Sequence, residues 1–188
     1  MALLIQGWAA RAKRILGCAA LAAVWLASGA AQAEEAPLEF AVKASYLYKF
    51  APFVTWPTTA FPAADSPFNL CVVGDDPFGP VLDEVTKGQA VQTHPIVVRR
   101  MATASAGMNC QILFIGHSDA QSPEEMLHAV AGEPVLTVTD RSRGVGGGII
   151  QFVMRDGRVR FDIDPAAASA NGVSISSKLL DLALRRRD

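Results

Sequence analysis

Apolar residues recur at helical spacing over residues 38–54, and this spacing predicts a helix that Pro52 bends or ends. Tyr46, Phe50 and Phe53 widen the apolar arc of this helix beyond one core-facing stripe. The helix is therefore either buried on both sides, which suits a short domain in need of a core, or it contacts another protein. In the second case the candidate interface residues are Tyr46, Phe50, Phe53 and Trp56.

Further along the chain, short apolar runs alternate with helix-start signals. Strands are predicted at residues 68–73, 96–100, 112–115 and 134–139. Helices are predicted at residues 77–86 with Asp76 as N-cap, at 123–131, at 165–170, and from 176 to the arginines at 185–187. Strands separated by helices predict an α/β fold, with a mixed, partly parallel β-sheet flanked by helices in a single domain.

A hairpin is predicted around Asp156-Gly157, because Asp-Gly favours the two-residue turn that joins antiparallel strands. The glycine-rich segment 144–148 before it is predicted to be a flexible loop. Register and core face agree in the hairpin, since every predicted pair is apolar. The predicted pairs are Met154 with Val159, Phe152 with Phe161, and Ile150 with Ile163.

The first residues of the chain have the pattern of a secretory signal peptide. Basic residues within 11–14 precede an apolar run at 15–28 that is too short to span a bilayer, and small residues follow at 31 and 33. We predict cleavage after Ala33, with 1–33 as the signal peptide and 34–188 as the exported domain. Cys18 resembles a lipid-attachment cysteine, but it lies near the start of the apolar run instead of after it.

Export decides how the remaining cysteines are interpreted. Cys71 and Cys110 are the pair left after cleavage, and each lies in or beside an apolar run. In an oxidising compartment this pair predicts a disulfide that staples the domain, with two buried free thiols as the alternative. Removing the signal peptide takes away three basic residues and no acidic ones, so the formal net charge changes from −1 to −4. That charge gives no support to nucleic-acid binding.

The sequence lacks the common catalytic and metal-binding motifs. It contains no Gly-x-Ser-x-Gly elbow, no His-Glu-x-x-His and no phosphate-binding loop. A predicted strand follows the glycines at 144–148, whereas a helix follows in a dinucleotide-binding fingerprint. His94, His117 and His128 lack the spacing of metal ligands, so neither a metal nor a cofactor is predicted.

Polar loops follow several of the predicted strands. In an open α/β sheet, ligands bind at the carboxyl ends of the strands, so these loops converge on a ligand site if their strands are parallel neighbours. Helix capping and loop solvation are the alternative explanation. The candidate ligand-loop residues are Asp75, His117, Asp119, Arg141 and Arg143.

The mature chain resembles the YfiR-like family of periplasmic proteins. The matching segments are 43–50 (KASYLYKF), 53–57 (FVTWP), 71–79 (CVVGDDPFG), 112–115 (ILFI), 135–140 (VLTVTD) and 172–180 (GVSISSKLL), in this order. The resemblance spans nearly the whole exported domain. It implies a regulator that represses an inner-membrane diguanylate cyclase by binding the periplasmic region of that cyclase.

The resemblance also implies further partners and a role for the cysteines. An outer-membrane lipoprotein is expected to sequester the repressor, which raises cyclic di-GMP and favours attachment and biofilm formation. Cys71 and Cys110 match cysteine positions of the family. Members with a second disulfide carry it near the Gly144 loop, where this chain has Val145 and Phe152, so a redox role through a second bridge is excluded.

Three classes of function follow from the sequence. The first is a periplasmic repressor that acts by protein binding, as a monomer or a homodimer. The second is a periplasmic small-molecule sensor that uses the strand-end loops and serves another membrane signalling protein. The third is a secreted enzyme, which is disfavoured because no nucleophile and base can be paired from the sequence.

Overall fold

The computed structural model describes residues 30–184, and a compact unit begins at Glu39. Residues 1–29 and 185–188 lie outside the described part. These residues include most of the predicted signal peptide and the arginines at the end of the last predicted helix. Signal-peptide cleavage after Ala33 therefore stays a prediction. Within residues 30–184, no helix has both the length and the apolar character needed to cross a membrane.

Helices and strands alternate along the described chain. The α-helices are α1 (Ala30–Phe50), α2 (Pro80–Thr86), α3 (Pro123–Ala129), α4 (Pro165–Ala170) and α5 (Ser177–Leu182). The strands are β1 (Val54–Thr55), β2 (Phe68–Val73), β3 (Ala90–Val91), β4 (His94–Met101), β5 (Ile112–Ile115), β6 (Leu136–Asp140), β7 (Ile150–Arg155), β8 (Arg158–Ile163) and β9 (Ser174–Ile175). Short 3₁₀ helices lie at Ala51–Phe53, Thr58–Ala60 and Arg141–Arg143.

Seven strands form one sheet in the order β3-β4-β2-β5-β6-β7-β8, and β1 pairs with β9 in a separate two-stranded sheet. Five neighbouring strands of this order, β4, β2, β5, β6 and β7, are parallel. An antiparallel pair closes each end of the sheet: β3 with β4, and β7 with β8. The predicted mixed, partly parallel sheet is confirmed. Parallel neighbours must be joined by a crossover segment. Helix α2 lies in the segment that follows β2, and helix α3 lies in the segment between β5 and β6.

The central strands β2, β5 and β6 are buried on both faces, as their largely apolar sequences require. Along β2, Leu70 and Val72 belong to the core cluster that also contains residues of α1, α2, α4 and α5. Cys71 and Val73 point the other way and belong to a second cluster with Met126 of α3. The predicted arrangement of helices flanking the sheet is therefore confirmed.

The hairpin of β7 and β8 has the predicted register. Its three apolar pairs are those read from the sequence, and Phe152 lies directly opposite Phe161 in the core. The turn residues Asp156 and Gly157 have φ of 52° and 67°. Positive φ at both central positions is the type I′ geometry that Asp-Gly favours.

Pro52 ends the first helix, as the sequence predicts. Helix α1 ends at Phe50 and continues as a 3₁₀ turn that contains Pro52, because proline interrupts the α-helical hydrogen bonding. Three other predicted boundaries are wrong: the start of α2, the end of α3, and the end of α5, which stops at Leu182 instead of continuing to the arginines at 185–187. Helix α2 begins at Pro80 instead of residue 77, and its N-cap is Gly79. The Asp76 carboxylate accepts hydrogen bonds from the amides of Phe78 and Gly79, so it caps a turn before the helix. Helix α3 ends at Ala129, two residues before its predicted end at 131.

Cys71 and Cys110 form the predicted disulfide, with their Cα atoms 5.9 Å apart. Cys71 lies in the middle of β2, and Cys110 lies in the loop before β5, so the bridge joins a strand to the entrance of its neighbour. Both residues are at most 5 % exposed. Val145 and Phe152 are buried apolar residues of two different core clusters, consistent with the loss of a second bridge there.

Arg100 holds β4 to the turn and helix that follow β2. Its guanidinium donates to the carboxylates of Asp76 and Asp83, both at 2.7 Å, and to the Gly79 carbonyl at 2.8 Å. The hydrogen bond from Arg100 is the main cause that lowers the pKa of Asp83 below its ordinary value of 3.8. The same carboxylates raise the pKa of Arg100.

This contact predicts a pH dependence of stability. A carboxyl group whose pKa is lowered by folding stabilises the protein above its unfolded pKa, and the contribution is lost as the pH falls through the folded pKa. We therefore expect Asp83→Asn to flatten the fall in unfolding free energy below pH 3.8, by about 1 kcal/mol or less because Asp83 is half-exposed. Urea unfolding of both proteins at pH 3 and pH 6 measures how far the unfolding free energy falls between the two pH values. An equal fall in the wild type and in Asp83→Asn would contradict the assignment.

Candidate functional site

An apolar groove of about 240 Å³ lies where α1, β8 and α5 meet. Tyr46 of α1 and Phe53 of the following 3₁₀ turn form one side, and Leu179 and Leu182 of α5 form another. Leu182 is 66 % exposed, so its apolar side chain is open to solvent at the groove. Lys49 and Arg160 also line the groove, so its lining carries positive charge.

The aromatic residues behind the groove hold its shape. The Tyr46 ring stacks on Phe50 with centroids 5.7 Å apart and meets the edge of Phe161 at 5.6 Å. Phe50 in turn contacts Phe161 edge to face at 5.1 Å. Rings packed in this way have few alternative positions, so the floor of the groove is rigid.

The predicted interface residues have different positions in the structure. Tyr46 and Phe53 are half-buried and line the groove. Phe50 also contributes to the lining, but it is 1 % exposed and belongs to the core, so little of its surface is open to a partner and its role in an interface stays a prediction. Trp56 lies elsewhere: its Nε1 donates to the Gln111 carbonyl at 3.1 Å, and its ring packs against Phe68.

A second, more open concavity of about 400 Å³ lies along the outer face of α1. It shares Tyr46 and Lys49 with the groove and extends to Ala41, Val42 and Ser45. Val42 is 37 % exposed. The groove and this helix face therefore form one continuous surface, part apolar and part basic, on one side of α1.

The strand-end loops converge, as the sequence predicts for parallel neighbours. Asp75 follows β2, His117 follows β5, and Arg143 lies in the 3₁₀ turn after β6. The Asp75 amide donates to the His117 carbonyl at 2.6 Å, and His117 Nε2 lies 2.9 Å from the Arg143 carbonyl. The crevice between them has a volume of about 10 Å³, room for about one water molecule.

Close backbone packing explains why the strand ends hold so little space. A Cβ atom on Gly116 would lie 2.3 Å from the Asp75 carbonyl oxygen, and one on Gly74 would lie 2.5 Å from the His117 carbonyl oxygen. Glycine is required at both positions for this approach. The other two predicted ligand-loop residues do not line the crevice: Asp119 is exposed, and Arg141 donates to Asp162 at 2.7 Å.

A buried ionic cluster stands beside these loops, and the sequence prediction missed it. Lys43 of α1 is 0 % exposed, and its Nζ lies 2.5 Å from Asp140 Oδ2 at the end of β6, where Asp140 is 1 % exposed. Lys43 also donates to Ser142 Oγ at 3.1 Å and to the carboxylate of Glu39, one turn earlier in the helix. The Nζ lies 6.0 Å from the ring centroid of Phe152. One ammonium group thus joins α1 to the carboxyl edge of the sheet.

The sequence did carry a signal for this cluster. Lys43 lies between Phe40 and Leu47 on the apolar stripe, and a charged residue on a core-facing stripe needs a buried partner. Asp140 ends an otherwise uncharged strand, which makes it the matching candidate. Neither residue belongs to a familiar motif, so only the helix pattern points to them.

A third concavity, of about 240 Å³, lies at the amino ends of the parallel strands. Thr59, Asn109, Cys110 and Glu133 contribute to its lining, so it borders the disulfide. Among residues 30–184, no group of three or more His, Cys, Asp or Glu side chains is arranged to hold a metal ion.

Comparison with known families gives a match over most of the chain. Residues 40–184 match the model of the family described as YfiR/HmsC-like. The matched range contains both cysteines of the disulfide, the whole lining of the groove beside α1, and the Lys43 cluster except Glu39.

Proposed function

Because the chain belongs to the YfiR/HmsC-like family, we propose that it is a periplasmic regulator that represses an inner-membrane diguanylate cyclase by protein binding. The family match over residues 40–184 is the observation that carries this proposal. The disulfide supports it, since structural disulfides form and persist in an oxidising compartment such as the periplasm. The cyclase is expected to present its periplasmic region to the protein.

We place the contact with the cyclase at the groove between α1, β8 and α5. Tyr46 and Arg160 are residues of the kind that dominate binding energy at interfaces, and Leu182 and the half-buried ring of Phe53 add apolar contact area beside them. Lys49 and Arg160 favour a partner segment that is apolar with acidic flanks, because complementary charge steers encounter and fixes register. An amphipathic helix or strand of the cyclase has this character.

Repression by binding is a population shift. The protein must bind the inactive cyclase more tightly than the active one, since a ligand with equal affinity for both states shifts neither. Moving the cyclase from mostly active to mostly inactive needs a differential affinity of about 10⁴-fold. A few desolvated aromatic and leucine anchors can provide it. An outer-membrane lipoprotein that sequesters the repressor would then release the cyclase and raise cyclic di-GMP.

The small-molecule sensor finds less support. Its predicted site at the strand ends is a crevice of about 10 Å³, whereas pockets for small ligands usually measure about 300–1,000 Å³. The proposal also assigns no enzymatic activity, since regulation of this kind needs only differential binding.

A substitution on the exposed part of the groove tests the proposed contact. We expect Leu182→Glu to weaken binding to the isolated periplasmic region of the cyclase by at least about tenfold, because it places a charge among desolvated apolar anchors. Val97→Glu is the matched control, since Val97 is also an exposed apolar residue, at 41 %, and lies on β4 away from the groove. Calorimetry measures both affinities. Equal affinities of the two variants would contradict the placement of the contact.

The homodimer predicted from the wide apolar arc remains a proposal. If a second copy of the chain occupies the groove, sedimentation at micromolar protein concentration should show dimers, and Leu182→Glu should convert them to monomers. Wild-type protein that sediments as a monomer leaves the groove free for the cyclase and rules out the dimer.

A further inference from the structure

The buried ammonium group of Lys43 occupies the edge of the sheet where open α/β folds bind small ligands. Its surroundings resemble a binding site for a cation: on the sheet side the carboxylate of Asp140, the hydroxyl of Ser142 and the ring of Phe152 face one atom. On the helix side Glu39 and Phe40 face the same atom. The adjacent crevice is almost filled. The usual ligand position is therefore taken by a side chain of the protein itself.

The sheet side of this cluster is held in place without the helix. Asp140 Oδ1 accepts hydrogen bonds from the amide of Ser142, at 3.1 Å, and from the hydroxyl of Ser142. The Asp140 carbonyl accepts from the amide of Val145 at 3.0 Å, and the residue caps the 3₁₀ turn Arg141–Arg143. Asp140 Oδ2 is left for the ammonium group. Preorganisation of this kind distinguishes a site from an ion pair formed by two mobile side chains.

We propose that Asp140, Ser142 and Phe152 form a binding site for a primary alkylammonium group, and that Lys43 is its resident occupant. Helix α1 docks on the sheet through this site. The site accepts a compact ammonium group in preference to a neutral group, because a buried carboxylate without a cation is costly. A free alkylammonium can take the place of Lys43 when that side chain is shortened.

Docking through this site also positions the groove. Tyr46 and Lys49 follow Lys43 on the same helix by three and six residues, and both line the groove. Lys43 is thus a positioning residue for the partner surface, and this part of the inference rests on the proposed function. The ammonium site itself does not.

Chemical rescue tests the site. Lys43→Ala should melt at a lower temperature than the wild type, and n-propylammonium chloride, which replaces the atoms that the substitution removes, should recover roughly half or more of the loss in a saturable way. Neutral 1-propanol and sodium chloride at the same concentrations should not. Lys49→Ala, which removes an exposed lysine of the same helix, should show no rescue.

One further variant and one further measurement keep the test decisive. Lys43→Ala combined with Asp140→Asn lacks the buried carboxylate and keeps only the partly exposed carboxylate of Glu39, so n-propylammonium should raise its melting temperature much less than that of Lys43→Ala. If Lys43→Ala is recovered only in unfolded form, its refolding yield in n-propylammonium against 1-propanol replaces the melting temperature. Equal effects of the ammonium and the alcohol, or equal rescue of Lys49→Ala, would overturn the ammonium site.

The positioning role has a separate readout. Lys43→Ala should bind the cyclase region at least about tenfold more weakly than wild type, and n-propylammonium should restore the affinity together with the melting temperature. Unchanged affinity of Lys43→Ala, with the cyclase region shown to bind wild type, would overturn the positioning role. Failure of wild type to bind the cyclase region contradicts the proposed function instead, and the thermal rescue still decides the ammonium site.

Discussion

Replacing Lys43 by methionine is expected to lower the free energy of unfolding by about 3–5 kcal/mol. Methionine keeps much of the volume of lysine but leaves the Asp140 carboxylate, 1 % exposed, without its cation. A buried charge that has lost its partner costs more than the pair contributed, because the carboxylate stays desolvated. Urea unfolding at neutral pH measures the change.

A second substitution shows whether the cost comes from the unpaired charge. Lys43→Met with Asp140→Asn removes both charges and keeps an amide oxygen to accept from Ser142, so it should be more stable than Lys43→Met alone. Lys49→Met, on the exposed side of the same helix, should change the unfolding free energy by about 0.5 kcal/mol or less. A small effect of Lys43→Met, within the range of Lys49→Met, would contradict the buried cluster.

Replacing Cys71 by serine is expected to cost about 4 kcal/mol of unfolding free energy, since the disulfide closes a loop with a sequence separation of 39. Serine also places a hydroxyl at a position that is 0 % exposed, which adds to the loss unless the hydroxyl finds a partner. Urea unfolding of the oxidised proteins measures the change. The exported variant should also be less abundant, because a less stable protein is degraded more readily.

The controls for the disulfide separate the cross-link from the side chains. Wild-type protein reduced with dithiothreitol should lose most of the same stability, and the variant Cys71→Ala with Cys110→Ala should be close to the reduced wild type. Free alkylation of both thiols in protein isolated from the periplasm would contradict the bridge. Equal stability of oxidised and reduced wild type would show that the bridge contributes little.

Local signals in the sequence were sufficient for much of the fold. The Asp156-Gly157 turn fixes the register of β7 and β8, because its two-residue geometry and the apolar pairing require the same alignment. Apolar runs predict buried parallel strands such as β2 and β5 at their observed bounds, although Asn69 interrupts the run of β2. The start of α2 was misplaced because Asp76 and Pro77 form a capped turn whose signal resembles a helix start.

The site was harder to predict, because its features depend on tertiary packing. Convergence of Asp75, His117 and Arg143 follows from neighbouring parallel strands, but the close approach of their backbones, which fills the space, is not encoded in a local pattern. Phe50 and Tyr46 have the same amphipathic signature in the sequence, and both pack against Phe161 of the hairpin, yet only Phe50 is fully buried there. Lys43 and Asp140 are 97 residues apart, so their pairing depends on the complete fold.

The most direct test of the regulatory claim is the level of cyclic di-GMP in the host after deletion of this protein. The account predicts that cyclic di-GMP and adhesion rise in the deletion strain, fall again when the wild-type protein is restored, and stay low when the partner cyclase is deleted as well. Restoring the Leu182→Glu variant should leave cyclic di-GMP high, whereas Val97→Glu should lower it. Unchanged cyclic di-GMP in the single deletion, with the cyclase shown to be expressed, would contradict the repressor function.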